Sequence, residues 1–304
     1  MKKVFTLIII GTLVMMSCQK QTTAPEETDN EAISELISTV YAPMFDYVAT
    51  VNDTAPRPDT LDSGTKSNPW RIFAWGREIL YHTRDILIHI ENDTATVTIN
   101  RDLYGNIHIL VQEQPGDTIK DLIKPLHDKS ERIARFVRIG SPDSPHRGWV
   151  LDGLSNVEIN TQDLPDTIDP VEIEYVHVIA FDPVDDSTII FERDFTDPLT
   201  LWNVDSIPVL PSNALVKIEL KVRQTNREVL AFLHYNTHRY RHRRDRFVRS
   251  LEDSTLFVGF WRVPYDPGFY HVGFDIIHYN TFFTEDYPYV SNAWIFPYKV
   301  TVTE

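Results

Sequence analysis

Cysteine is nearly absent: Cys18 is the single one among 304 residues. No disulfide can form within the chain, and no cysteine cluster can hold zinc. Glycine is sparse too, with 11 residues, and none of them builds a glycine-rich phosphate loop. The segment Gly153-Leu154-Ser155-Asn156-Val157 lacks the second glycine of a nucleophile elbow. Positive charge is short as well. Lys and Arg number 29 against 44 Asp and Glu, for a net charge of −15. That balance argues against nucleic acid, whose phosphates reward clustered cations, and against electrostatic docking on anionic lipid. No His-Glu-x-x-His metal pair occurs.

What is present begins at the N-terminus. Lys2 and Lys3 precede a run of 13 almost wholly apolar residues, Val4 to Met16, followed by Ser17 and Cys18. Charge, apolar run and small residue in this order form an export signal. The run falls short of the roughly 20 residues that a membrane-crossing helix needs. The segment Val14-Met15-Met16-Ser17-Cys18 resembles the lipobox of bacterial lipoproteins, departing from the usual pattern at Met15. The resemblance implies that residues 1–17 are removed and that Cys18 becomes an acylated N-terminus anchored to a membrane of the cell envelope. Several acyl chains hold a protein stably. Ordinary cleavage nearby would instead leave a soluble secreted protein. Residues 18–30 are polar, lack aromatics and read as a flexible tether.

Residues 31–160 read as an α+β domain. Ile33, Leu36, Ile37, Val40, Tyr41, Met44, Phe45 and Val48 recur at helical spacing, with Asn30 as the candidate cap and Pro43 expected to kink or split the helix. Residues 52–69 read as a loop. Strands are expected at 86–90, 95–100 and 107–111, with turns at Asn92-Asp93 and Tyr104-Gly105-Asn106, and further strands at 132–139 and 148–159. A helix on a curved antiparallel sheet is similar to the NTF2-like or cystatin-like folds, and no activity follows from that likeness. Residues 161–170 have the composition of a linker.

Residues 171–304 carry seven strand candidates, at 171–181, 187–193, 214–224, 228–235, 255–262, 268–277 and 292–302, which predicts an all-β sandwich. Asp266-Pro-Gly268-Phe-Tyr270-His-Val272 resembles the entry to strand F of immunoglobulin-like domains, where a tyrosine forms a corner with the backbone.

Three features remain as candidate contact sites. Residues 238–246 hold five arginines and one acid, a basic patch on an acidic body. Arg239, Arg241, Arg243 and Arg244 are therefore candidates for an acidic partner, against the alternative of a solvated hairpin paired to its own carboxylates. Tyr279, Tyr287 and Tyr289 lie on a loop expected between the last two strands, where aromatics could meet a sugar or a protein. His234, His238 and His242 are spaced by four, as metal ligands on a helix would be. However, 229–235 reads as a strand and arginines intervene, so neither a metal nor a cofactor is expected. The acidic runs at 163–169 and 182–186 read as solvated turns. The sequence thus points to a non-enzymatic envelope lipoprotein acting as a binding or assembly module, with no catalytic residue. Its partners are the membrane through the anchor and an envelope protein or glycan. The alternative is a glycan- or small-molecule-binding lipoprotein that uses the N-terminal cone or the aromatic loop.

Overall fold

The computed structural model describes residues 27–53, 56–62, 70–112, 117–223, 228–237 and 241–301. The expected signal peptide, Cys18, most of the tether, His238 and Arg239 lie outside them. Strands dominate. The chain opens with α1 (Asp29–Ser38), α2 (Ala42–Phe45) and α3 (Val48–Val51). These are followed by β1 (Arg57–Asp62), β2 (Arg71–His82), β3 (Asp85–Glu91), β4 (Thr94–Gln112), β5 (Lys120–Arg138), β6 (Trp149–Leu154) and β7 (Val157–Thr161). Next come β8 (Ile173–Phe181), β9 (Ile189–Phe195), β10 (Trp202–Asn203), β11 (Val209–Pro211), β12 (Leu215–Val222) and β13 (Val229–Thr237). The last elements are β14 (Arg241–Arg246), β15 (Val248–Arg249), β16 (Leu256–Arg262), β17 (Gly268–His278), α4 (Tyr279–Phe283) and β18 (Ser291–Thr301).

The single helix expected from the N-terminal periodicity is three short ones. Pro43 sits in the first turn of α2, where its missing N–H costs nothing, and so a new helix starts there. The cap is Thr28 rather than Asn30. Its hydroxyl accepts from the Glu31 N–H, and the Glu31 carboxylate accepts from the Thr28 N–H, a capping box. Asp29 then ties α1 to the sheet by accepting from Arg138, Arg147 and Trp149. Burial opposes ionisation of Asp29, but these donors outweigh it and lower its pKa to about 2.

The larger sheet runs β1-β2-β4-β5-β7-β18-β17-β13-β14, with β3 on β4, β6 on β5, β10 on β6 and β11 parallel to β18. The smaller sheet runs β15-β16-β12-β8-β9 and is wholly antiparallel. β7 pairs with both β5 and β18, so strands from both sides of residues 161–170, which the sequence reads as a linker, belong to one sheet. That sheet curls. On β14, near one end of the strand order, Arg244 Nη2 donates to the Trp75 carbonyl on β2 at 2.8 Å, near the other end.

β4 and β5 span 19 residues each and pair along almost their full length. The expected turn at Tyr104-Gly105-Asn106 does not form, and these residues continue β4. Gly105 serves close approach instead: a Cβ there would lie 1.8 Å from the Glu78 carbonyl oxygen of β2. Alternate residues of both long strands face inward. On β4 these include Val97, Ile99, Arg101, Leu103, Ile107 and Ile109; on β5 they include Leu126, Asp128, Ser130, Arg132 and Ala134. The opposite face of β13, β17 and β18 meets the smaller sheet, where Leu233, Val272, Phe274 and Phe296 join Val176, Val178, Val216, Ile218 and Leu220 in the largest apolar cluster. At the entry to β17 the Tyr270 hydroxyl donates to the Asp266 carbonyl at 3.0 Å, closing a backbone corner.

Candidate ligand-binding cleft

Tyr81 on β2, Tyr104 on β4 and His127 on β5 are cross-strand partners in the ladders that join these strands. Direct pairing brings side chains of one face within stacking distance. The rings accordingly form a continuous stack: Tyr81 and Tyr104 centroids lie 4.8 Å apart, Tyr104 and His127 4.3 Å, both at 16°. The His127 ring is held from both sides. Nδ1 lies 2.6 Å from Asp163 Oδ2, and Nε2 lies 3.2 Å from Asp102 Oδ1. Burial works against the charged ring, but the two carboxylates outweigh it and raise its pKa. Asp163 itself takes a left-handed backbone, φ 55°, where the chain leaves β7.

The stack lines a cleft of about 520 Å³ together with Leu126, Leu164, Pro288 and Tyr289. Tyr81 and Leu80 stand at the rim, each 59% exposed. The volume lies within the range of small-molecule sites, roughly 300–1,000 Å³.

Behind Tyr289 lies a buried charged network. The Tyr289 hydroxyl accepts from Arg77 Nη1 at 2.8 Å and donates to Asp128 Oδ2 at 3.1 Å. Arg77 also pairs with Asp275, whose other oxygen accepts from the Ser291 hydroxyl at 2.7 Å. His234 Nε2 lies 3.2 Å from Asp275, His234 Nδ1 lies 3.3 Å from His242 Nε2, and Arg244 Nη1 lies 2.5 Å from Asp53. Two guanidiniums thus face three carboxylates. Burial would raise the pKa of Asp275, but Arg77 overcomes it and the net shift is downward. Burial wins at Asp128, which rises to about 6 against the pull of Arg77. Proton uptake by Asp128 would leave two cations facing two anions.

Asp53, His234 and His242 place metal-capable atoms within 4.8 Å of one another. The donor chemistry suits hydrogen bonding better than a shared ion. His242 Nε2 lies 2.9 Å from the Thr50 carbonyl, an acceptor that only a protonated nitrogen serves, and 3.3 Å from His234 Nδ1, while its Nδ1 lies 3.5 Å from Asp53. Arg77 and Arg244 already neutralise the adjacent carboxylates. Of the three histidines spaced by four in sequence, the β13–β14 hairpin therefore unites His234 and His242 across strands rather than on a helix.

The residues singled out from sequence disperse. Arg244 is corrected from surface to interior: its side chain is 1% exposed, lies over the Trp75 ring and bonds Asp53. Arg243 is on the opposite face of β14, exposed and bonded through Nε to Asp245 at 3.1 Å. Strand alternation splits the basic run in this way. For Arg241 the structure describes the backbone, which pairs with Thr237. The tyrosine segment is not an open loop. Its first residues form α4, where Tyr279 stacks on Phe283 at 4.3 Å; residues 284–290 remain a loop that packs inward, with Tyr287 stacked on His278 at 4.6 Å and Tyr289 buried. Tyr289 alone of these tyrosines reaches the cleft. The sequence reading missed Tyr81, Tyr104, His127 and Asp163. Their shared signal is strand register, visible only once β2, β4 and β5 are aligned. No family model, no curated protein and no solved structure matches the chain.

Proposed function

We propose that the protein is a non-enzymatic lipoprotein of a bacterial envelope, held by acylated Cys18, that binds a glycan in the cleft beside Tyr81. The observation that carries this reading is the Tyr81–Tyr104–His127 stack opening on a cleft with Asp163 at its edge. A sugar ring offers apolar C–H faces to an aromatic wall and hydroxyls to a carboxylate such as that of Asp163. A concave site with aromatic lining and a few fixed polar groups has that character.

The fold reading has two parts. We read β9-β8-β12-β16-β15 against β14-β13-β17-β18 as an immunoglobulin-like sandwich, supported by the Tyr270 corner and by the all-antiparallel smaller sheet. We read residues 31–160 as a helix on a curved sheet of the NTF2-like or cystatin-like kind, supported by α1 burying Ala32, Ile33, Leu36 and Ile37 in one cluster with Val97 and Phe136. The two units, 31–160 and 171–304, would then join edge to edge through β7 and β18. An assembly role is the second reading. β9 is the last strand of the smaller sheet and exposes Ile189 and Ile190, an edge that could accept a partner strand.

Two measurements test the reading. Cys18→Ala is expected to release the exported protein from membranes; unchanged membrane partitioning would remove the anchor from the proposal. On an array of envelope glycans the protein should retain at least one sugar, and Tyr81→Ala should weaken that binding about tenfold. Retention of no sugar, or equal retention by the variant, would sink the glycan reading.

A further inference from the structure

A second cavity, of about 340 Å³, opens where the ends of α1 and α2 meet the β2–β3 turn, and its chemistry differs from that of the cleft. In a chain of net charge −15, it gathers His82, Arg84 and Arg101 against one carboxylate, Asp46. Arg84 is exposed, and its Nη2 donates to the Ser38 hydroxyl at 3.1 Å. Arg101 is only 4% exposed. Its Nη2 donates to the Phe45 carbonyl at 2.9 Å, and its Nη1 lies 3.8 Å from the exposed Asp46 carboxylate. Its Nε has no hydrogen-bond partner among the described residues.

A second guanidinium stands behind it. Arg132 is fully buried, donates from Nη1 to the Met44 carbonyl, and leaves Nε and Nη2 without partners among the described residues. Both cations lie over the Tyr47 ring, Arg101 at 4.8 Å and Arg132 at 5.5 Å from its centroid. Cation–π contact offsets part of the cost of burial. An unpaired buried guanidinium costs more than such contact supplies. No carboxylate reaches Arg132 in the described residues. Burial and the charge of Arg101 push its pKa down to about 9, against the pull of Tyr47.

We infer that this cavity is a binding site for a phosphate group, with Arg84 and Arg101 as its direct contacts and Arg132 as a buried charge behind them. Charge count selects phosphate over a carboxylate. A monoester carries about −1.5 to −2 near neutral pH and, together with Asp46, balances Arg84, Arg101 and the field of Arg132, whereas a single carboxylate leaves about one positive charge uncompensated. Guanidinium geometry suits the oxyanion. The ester could be a soluble molecule or the headgroup of a membrane lipid.

Arg101 is buried and its replacement risks the fold, so exposed Arg84 and Asp46 carry the test. The Cys18→Ala form is titrated calorimetrically with inorganic phosphate at constant ionic strength, with chloride as the balancing anion. One saturable site is expected. Arg84→Gln should weaken it about tenfold, and Asp46→Asn should tighten it several-fold, because the competing carboxylate is gone. No saturable heat, or two variants that bind like the parent, would overturn the inference. Competition with glycerol phosphate, or with phosphatidylcholine vesicles containing phosphatidic acid, assigns the ester to a soluble molecule or to a lipid headgroup. Failure of both to compete would overturn it as well.

Discussion

On β17, Val272, Phe274 and Ile276 point toward the smaller sheet, whereas His271, Asp275 and Ile277 point into the curl of the larger one. β13 and β18 divide in the same way, with Leu233 and Phe296 on the apolar side and His234 and Ser291 on the other. Both faces are buried, yet they are stabilised differently. The apolar face gains from area removed from water, roughly 25 cal/mol per Å². Such contacts are non-directional and tolerate a neighbour of similar volume. The inner face holds Arg77, Asp128, Asp275 and His234 with almost no exposure. There each group depends on particular partners, since a buried charge stripped of its counter-charge is far more costly than a small cavity.

Neighbouring residues of one strand make this contrast measurable. The largest effect is expected for Asp275→Ala, which leaves Arg77 and His234 without their shared acceptor. Loss of about 3–5 kcal/mol in denaturant unfolding is expected, and a loss below about 1 kcal/mol would show that the network is not held by charge. Asp128→Asn should act in the opposite direction. Burial raises the folded pKa of Asp128 to about 6, above the value of about 3.9 for an unfolded aspartate. The native state therefore binds the extra proton, and the contribution of Asp128 is full below pH 4 and lost as pH rises through 6. At pH 7 the asparagine variant should be more stable by about 1–2 kcal/mol, with the advantage vanishing near pH 4. A variant less stable than the parent at pH 7 would reverse the assigned sign. The smallest effect is expected one residue from Asp275, at Ile276→Val, a loss of about 1 kcal/mol from one buried methylene. If Ile276→Val costs as much as Asp275→Ala, the contrast between the two faces fails.

The same contrast explains which strands could be read from sequence. All seven strands expected between 171 and 302 form, as β8, β9, β12, β13, β16, β17 and β18. Their apolar residues alternate or run together, as strands buried on one or both faces do. β2, the first part of β5 and β14 went unread. Their inward positions carry Arg77, Lys124, Asp128, His242 and Arg244, so the hydrophobic period that marks a buried strand is broken where the network forms. Lys124 shows the cause: its Nζ donates to the Thr284 and Tyr287 carbonyls at 2.7 and 2.6 Å, partners about 160 residues away in the chain. A side chain whose partner is that remote reads as a surface charge.

The sequence by itself determined the predominance of strands, the C-terminal strand spacing, the break at Pro43 and the motif that closes at Tyr270. Periodicity, a missing donor and turn chemistry are local properties. Only the tertiary structure decided that the larger sheet runs through β7 and β18 and curls, that Arg244 turns inward while Arg243 faces solvent, and that Tyr81, Tyr104 and His127 stack along one cleft. Cross-strand register and the pairing of distant charges fix those features, and they exist only once separate segments of the chain lie side by side.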